Sequence, residues 1–546
     1  MFIENLVIDF YNVIAKQKVL ILVNYDIDAI CAARILQTIL KYDAISYTLI
    51  PVSKISDLIS SYKEHINNFK YVILINCGGT IDIVENLEPE ENVVFFIADS
   101  HRPTDVCNIY SLNDQINEDT LDNEENINNE SRVAKRRRLD EQSINKRLWE
   151  KNRRRILFEY SQFSYYGRST SILMFELSWQ LRRDNFDLLW WGIIGVVEQF
   201  ILNKIEILQY LNEVEKISTH IGRLCANNDQ VIDNSSQNSV TSSQQSSVSN
   251  LKINCEKDLQ LALYRHWTVE NSLRYTMFTA VGLKLWAIKG EKRLHQLLVE
   301  MGLPLAESRQ QYYSMDLSLR NEFHNMIEKM SDTRNLTHIT YPSFTLLQGF
   351  RTKYQAADYV YSLLALLSNN TRSKNLRDCF YEAMDALLRV RKDLLDDGIE
   401  KSKKLLMVMF KHVQSALDMK QIMTAGPFYY MVIQEGTINA KYCSNPDCLW
   451  LLATFALKAY VTTSRKSKAA RLPLIASAPL EDGYCIMLGV PPVTETTPRS
   501  FFGKAFEQVA EKTGSVIQAD YFDSTAVKLQ VADRAKIFDA LVVLLS

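Results

Sequence analysis

Three runs in the first hundred residues are apolar almost without a break: residues 19–23 (VLILV), 71–76 (YVILIN) and 93–99 (VVFFIAD). A strand with one wet face alternates apolar and polar side chains. An unbroken apolar strand is covered on both faces, as in a parallel sheet sandwiched by helices. Between the first two runs, residues 27–42 set Ile27, Cys31, Ile35 and Ile39 at i+4 spacing, with Leu36 and Leu40 widening the stripe. That is one face of an amphipathic helix. Strand, helix and strand in this order predict an α/β domain built on a parallel sheet. Its polar residues gather at the strand ends: Asp26 and Asp28 after the first run, Asn76 closing the second, and Asp99, Ser100 and His101 at the third. Open parallel sheets carry their sites at the carboxyl ends of strands. Two carboxylates at i and i+2, a third from a neighbouring strand and an imidazole form a donor set for Mg²⁺ or Mn²⁺. A metal pair can activate water against a phosphodiester. The competing account is that these acids cap helices, and Asp28 stands where it can do so for the helix at 27–42.

A chain of 546 residues is too long for one core. Four segments are expected. Residues 1–225 form the α/β domain, 226–252 a disordered Ser- and Asn-rich linker, 253–424 a mostly helical inter-domain region, and 425–546 a small mixed α/β domain. Within the first, about 111–146 reads as a disordered insertion: residues 113–130 hold seven acids and no base. The basic cluster Lys135, Arg136, Arg137 and Arg138 follows it, with Arg153–Arg155 as a second half. This pattern is similar to a nuclear localisation signal and predicts a nuclear protein. The formal net charge of −2 excludes a global field that would draw the chain onto nucleic acid. No apolar run reaches membrane-span length, and MFIENLVIDFYNVI lacks the basic start of a secretory signal. Nine cysteines, an odd number, suit reduced thiols, and Cys443 with Cys448 lack a second pair to complete a zinc ribbon. His266, His295, His324 and His338 are not spaced as ligands. No GxxxxGK[ST] loop is present, so P-loop ATP binding is not expected.

NYDIDAICAARIL, YVILINCGG and FFIADSHRP, in that order, resemble the first three motifs of the DHH phosphoesterase superfamily, which includes the RecJ exonucleases. The resemblance is closer to one eukaryotic branch, the cell-division-cycle forty-five replication factors, and runs through INCGG, ADSHRP, LWWGIIGVVEQFI, YRHWTVENSL, KLWAIKGEKRLHQLLVEMGLPL, GPFYY and FFGKAFEQVAEKTGS. It implies an N-terminal DHH domain and, from about residue 425, a DHH-associated domain. It also implies membership of the replicative helicase beside the MCM ring and the GINS tetramer, with DNA polymerases and loading factors as further partners and no membrane. Three departures from the superfamily's catalytic pattern stand out. Asn76 occupies the place of a ligand aspartate, Ser100 that of the middle residue of Asp-His-His, and Val196 that of the aspartate of the fourth motif, which lines up with DLLWWGIIGV. Two lost carboxylates leave too few charges to hold two metals together. Asp26, Asp28 and Asp99 would keep at most one weakly held metal, so the expectation is a pseudo-enzyme without cofactor, its alternative an active Mn²⁺-dependent single-strand exonuclease. The carboxylates are expected to take hydrogen bonds from backbone N–H groups, Ser100, Asn76 or Arg102. RecJ-like enzymes pass single-stranded DNA between their two domains. Here Arg465, Lys466, Lys468 and Arg471, with Gly503 and Lys504, are the candidates for phosphate contact.

Overall fold

In a computed structural model the chain is described over residues 2–545, except 110–131, 236–250, 332–335, 337, 349–351, 369–374, 438, 465–466, 495–498 and 515–516. The three apolar runs are strands β1 (Val19–Asn24), β3 (Tyr71–Ile75) and β4 (Val94–Ala98). A fourth, β2 (Tyr47–Val52), lies at the edge, giving the all-parallel order β2-β1-β3-β4. Sequence reading passed over β2 because YTLIPV contains Pro51 and is only half buried, as an edge strand can be. Helix α1 (Ile27–Tyr42) follows β1, and α2 (Ile55–His65) follows β2.

Helix α3 (Arg132–Ser161) covers the second part of the expected insertion, and its first part falls outside the described residues. The 132–161 segment is rich in Arg, Lys, Leu and Glu, strong helix formers that outweigh its low apolar content. After it come α4 (Thr170–Gln180), α5 (Phe186–Ile201) and α6 (Ile207–Ser235), the last running into the segment expected to be a linker. A short antiparallel pair, β5 (His101–Arg102) and β6 (Tyr165–Tyr166), ties the third motif to the chain ahead of α4.

The region from 253 to 424 is not only helical. An antiparallel sheet of β7 (Leu251–Leu259), β8 (Thr340–Gln348) and β9 (Thr352–Gln355) crosses it. β7 reads LKINCEKDL, with Lys252, Glu256 and Lys257 exposed but Asp258 buried against Arg265, so its alternation is masked in sequence. Residues 269–300 form three helices, Val269–Tyr275, Met277–Leu283 and Ile288–Glu300, rather than one, because Thr276 is extended and Lys284 turns left-handed at φ 57°. Helices α7 (Ala356–Ser368) and α8 (Lys392–Asp418) pack on each other, and α7 packs on α5 as well.

The last segment holds α9 (Pro446–Thr463), α10 (Phe502–Thr513) and α11 (Arg534–Leu545) around a five-stranded sheet. That sheet runs β10 (Met423–Thr424), β11 (Tyr429–Val432), β12 (Leu474–Pro479), β13 (Tyr484–Val490) and β14 (Ala526–Gln530). Helix α10 stops at Gly514, whose φ of 59° suits a residue without Cβ. The largest core runs from the N-terminal sheet through the middle helices to the C-terminal sheet, and separate clusters lie under α10 and α11 and on the α2 face of the N-terminal sheet. Within the largest, Trp191 donates to the Leu387 carbonyl (3.1 Å) and Trp450 to the Leu202 carbonyl (2.7 Å). No helix among the described residues is long and apolar enough to cross a membrane.

Candidate functional site

The sheet's carboxyl edge brings together the strand-end residues read from the sequence. Asp26, Asp28, Asn76, Asp99, Ser100 and His101 are all buried there. Asp26 is the N-cap of α1 and accepts from Ala29 N at 2.5 Å. The sequence reading gave that cap to Asp28. Asp28 sits two residues further on, within the first turn of α1, and caps another helix instead. Its Oδ2 accepts from Thr170 N (2.8 Å) and its Oδ1 from Ser171 N (3.0 Å) and Ser169 Oγ (2.6 Å), at the amino end of α4. Free N–H groups and the helix dipole both favour a carboxylate there.

Asn76 bridges the two acids. Its Nδ2 donates to both oxygens of Asp26 (3.2 Å each) and to Asp28 Oδ2 (3.3 Å). Its Oδ1 accepts from Thr170 Oγ1 (2.6 Å) and Ser100 N (3.0 Å). Asp99 accepts from Gly79 N (2.7 Å) and Gly78 N (3.3 Å) through Oδ2, and from His101 N (2.9 Å) through Oδ1. A Cβ at Gly79 would stand 2.8 Å from the Asp99 carboxylate, so only glycine lets the backbone come this close. The Asp99 carboxylate also meets His101 Nδ1 at 2.7 Å. Ser100 and Arg102 do not serve the carboxylates with their side chains as expected: Ser100 contributes backbone, and Arg102 Nη1 donates to the Asp99 and His101 carbonyls.

The charges follow from this geometry. Burial, then Asp28, pushes the Asp26 carboxyl up to about 6. Burial pushes against ionised Asp99 as well, but His101 and the backbone donors win and hold it below the usual range. Burial would lower His101, yet Asp99 overrides it and the imidazole rises to about 9.

Sequence reading missed the other half of the site. Lys204, just beyond α5, places Nζ 2.7 Å from Glu198 Oε1 and 3.1 Å from Asp447 Oδ1. Its ammonium lies 5.0 Å from the centre of the Tyr166 ring, and Tyr166 donates to Asp523 Oδ2 at 2.7 Å. Glu198 was the available signal: it is a lone acid inside the apolar run of α5. RSTS ahead of α4 was another, since Ser and Thr mark helix starts. Val196 belongs to the apolar core, and the α5 residue against the carboxylates is Gly195, where a Cβ would lie 2.4 Å from Asp28 Oδ1. One residue along a helix turns about 100°, enough to exchange the two faces.

A metal pair does not fit this donor set. Hydrogens of the chain already face the oxygens of Asp26, Asp28 and Asp99, where a cation would have to approach. Among the described residues, no group of three His, Cys, Asp or Glu is arranged to hold a metal ion. Beside the cluster opens a cleft of about 970 Å³, shared with the C-terminal sheet. Six acids (Asp26, Glu435, Asp447, Glu481, Asp482, Asp523) and five basic residues (Lys54, His101, Lys204, Lys441, Lys528) line it. This is not the excess of positive charge that a phosphate backbone rewards. Of the expected phosphate contacts, Arg465 and Lys466 lie outside the described residues, as does the Lys468 side chain. Arg471 is exposed, and Lys504 pairs with Glu507 at 2.7 Å. Gly503 packs against Ser164 and Ser524, where a Cβ would stand 2.9 and 2.6 Å from their hydroxyls. The side chains of Lys135, Arg136, Arg137 and Arg138 also lie outside the described residues.

Comparison with known proteins gives consistent results. The chain is 36% identical over 577 residues to the human cell division control protein 45 homolog, covering 100% of both. It is 22% identical to cell division control protein 45 of Saccharomyces cerevisiae, covering 94% of each. The crystal structure of CDC45 from Entamoeba histolytica shares the fold at a TM-score of 0.67, with 22% identity over 98% of this chain and 97% of that one. The CDC45 family model matches residues 19–118 and 113–543, and the chain belongs to the CDC45 family.

Proposed function

We propose that this chain is a catalytically inactive, DHH-fold subunit of the nuclear replicative DNA helicase, which braces the MCM ring together with GINS. Family membership supports the replication role. The observation that carries inactivity is the state of the carboxylates: Asp26, Asp28 and Asp99 are committed to donors of the chain itself, with the Asn76 amide between two of them. Water activation needs metals on those oxygens. The chain's role is then mechanical: it offers surfaces to partners and catalyses no step.

Two experiments test the two halves of this reading. End-labelled single strands incubated with the full chain and Mn²⁺ should stay intact. Digestion that disappears in an Asp26→Ala control would overturn inactivity and restore the exonuclease alternative. The tagged chain should co-purify with MCM and GINS subunits from replicating cells, and their absence would remove the helicase assignment. Contact with single-stranded DNA is a separate matter. Reversing Arg465, Lys466 and Lys468 to Glu should weaken it at low salt, and unchanged binding would rule that patch out.

A further inference from the structure

A cluster built on three aspartates, with Glu198, Asp447 and Asp523 close by, needs positive charge near it. His101 answers Asp99. A second buried cation is Lys204, and its placement is specific. Asn203 turns left-handed at φ 55° after α5, and Lys204 N donates to the Gln199 carbonyl at 2.8 Å, which folds the side chain back beneath the helix end. The Lys204 side chain is 6% exposed and that of Glu198 1%. Glu198 closes α5 while Asp447 opens α9, so the ammonium stands between the carboxyl end of one helix and the first turn of another. Lys204 also lines the cleft with Asp26 and His101.

We infer that Lys204 is the resident cation of this site. Its ammonium supplies, from within the chain, the positive charge that a divalent metal supplies among the carboxylates of a metal-dependent phosphoesterase. Through Asp447 it ties that charge to α9 of the C-terminal segment. The inference rests on the metal-free reading above and explains how the acids stay together without an ion from solution. Removing the amine leaves Glu198 and Asp447 facing a vacated space with no counter-charge, and oxygen donors of this kind take Mg²⁺ or Mn²⁺.

The test is thermal denaturation of the full chain, with Mn²⁺, methylammonium or matched NaCl added. The wild type should not respond to Mn²⁺ beyond the salt control. Lys204→Met should lower Tm by roughly 5 °C or more, since it leaves the buried Glu198 and the half-buried Asp447 without their shared donor. Lys204→Ala should lose as much and regain part of it in Mn²⁺ or methylammonium. The neutral combination of Glu198→Gln, Lys204→Met and Asp447→Asn should melt near the wild type and ignore both cations. It also covers the case in which the single variants do not fold. Lys204→Met melting like the wild type would overturn the inference. So would a Lys204→Ala loss that neither cation restores, and so would a neutral combination that fails to fold. A wild-type Tm raised by Mn²⁺ strikes the metal-free reading itself and is thereby told apart from these outcomes.

Discussion

Asn76 shows how one atom exchange changes what a strand end can do. Its amide gives two acids a shared donor and takes two donors in return. Asn76→Asp would keep the acceptor side, lose the donor side and add a third charge beside Asp26 and Asp28. We predict a loss of about 2–4 kcal/mol at pH 7 by chemical denaturation, shrinking toward pH 5 as Asp26, already raised to about 6, protonates. The backbone does not confound the comparison, because Asp tolerates the φ of 53° about as well as Asn. His101 sets a second pH dependence. Its pKa is raised from 6.5 to about 9, so its stabilisation is complete below about 6.5 and disappears as pH rises through about 9. His101→Gln should therefore cost of the order of 3 kcal/mol at pH 6 and little at pH 9.5. A flat difference across that range would contradict the imidazolium. Asp26, Asp28, Asn76, Asp99 and His101 were legible because strand ends are set by short-range pattern. Lys204 and Asp447 were not, because their meeting joins positions far apart in sequence and no local signal records it.

Among the elements, α1, α4 and α5 meet closely beside the carboxylates. A Cβ at Gly195 would stand 2.1 Å from Ser171 Oγ and 2.4 Å from Asp28 Oδ1, both held in the capping network of α4. At Gly192 the nearest atoms are 3.3 and 3.4 Å away, on Ile172 and Phe175. Gly195→Ala should cost about 3 kcal/mol in urea unfolding, while Gly192→Ala should stay within about 1 kcal/mol, helped by the helix preference for Ala. Equal costs would mean that α5 shifts freely over the carboxylates. The unbroken runs of β1 and β3 and the stripe of α1 announce themselves. β2, β7 and β8 do not: each is an edge or half-wet strand in which Pro51, Pro342 or a row of charges dilutes the pattern. Helix boundaries near 276 and 284 turn on a single extended or left-handed residue, which periodicity cannot register.

At the scale of the whole molecule, the segments that composition separates share one core. Tyr166 reaches Asp523, Ser164 pairs with Ser500 by two backbone bonds of 2.7 and 2.8 Å, and Trp450 closes on Leu202. Apolar side chains from α1, α5, α7, α8 and α9 belong to the same cluster. We predict a single calorimetric transition for the full chain and no cooperative melting for residues 1–424 alone, which would expose the apolar face that meets α9. Two well-separated transitions would show that the parts fold independently. Composition breaks marked where the chain changes character, but not that its parts are interlocked, because burial between distant segments leaves no compositional trace.

The Asn76 bridge has a historical consequence. Restoring the aspartate alone lowers stability before any metal can bind, since Lys204 still supplies the charge and the α4 cap still holds Asp28. Each of these features is tolerable to change only after the others have changed. Under the function proposed above, a chain with all of these features is held away from metal-dependent hydrolysis by several substitutions at once, and selection for stability alone would keep it there.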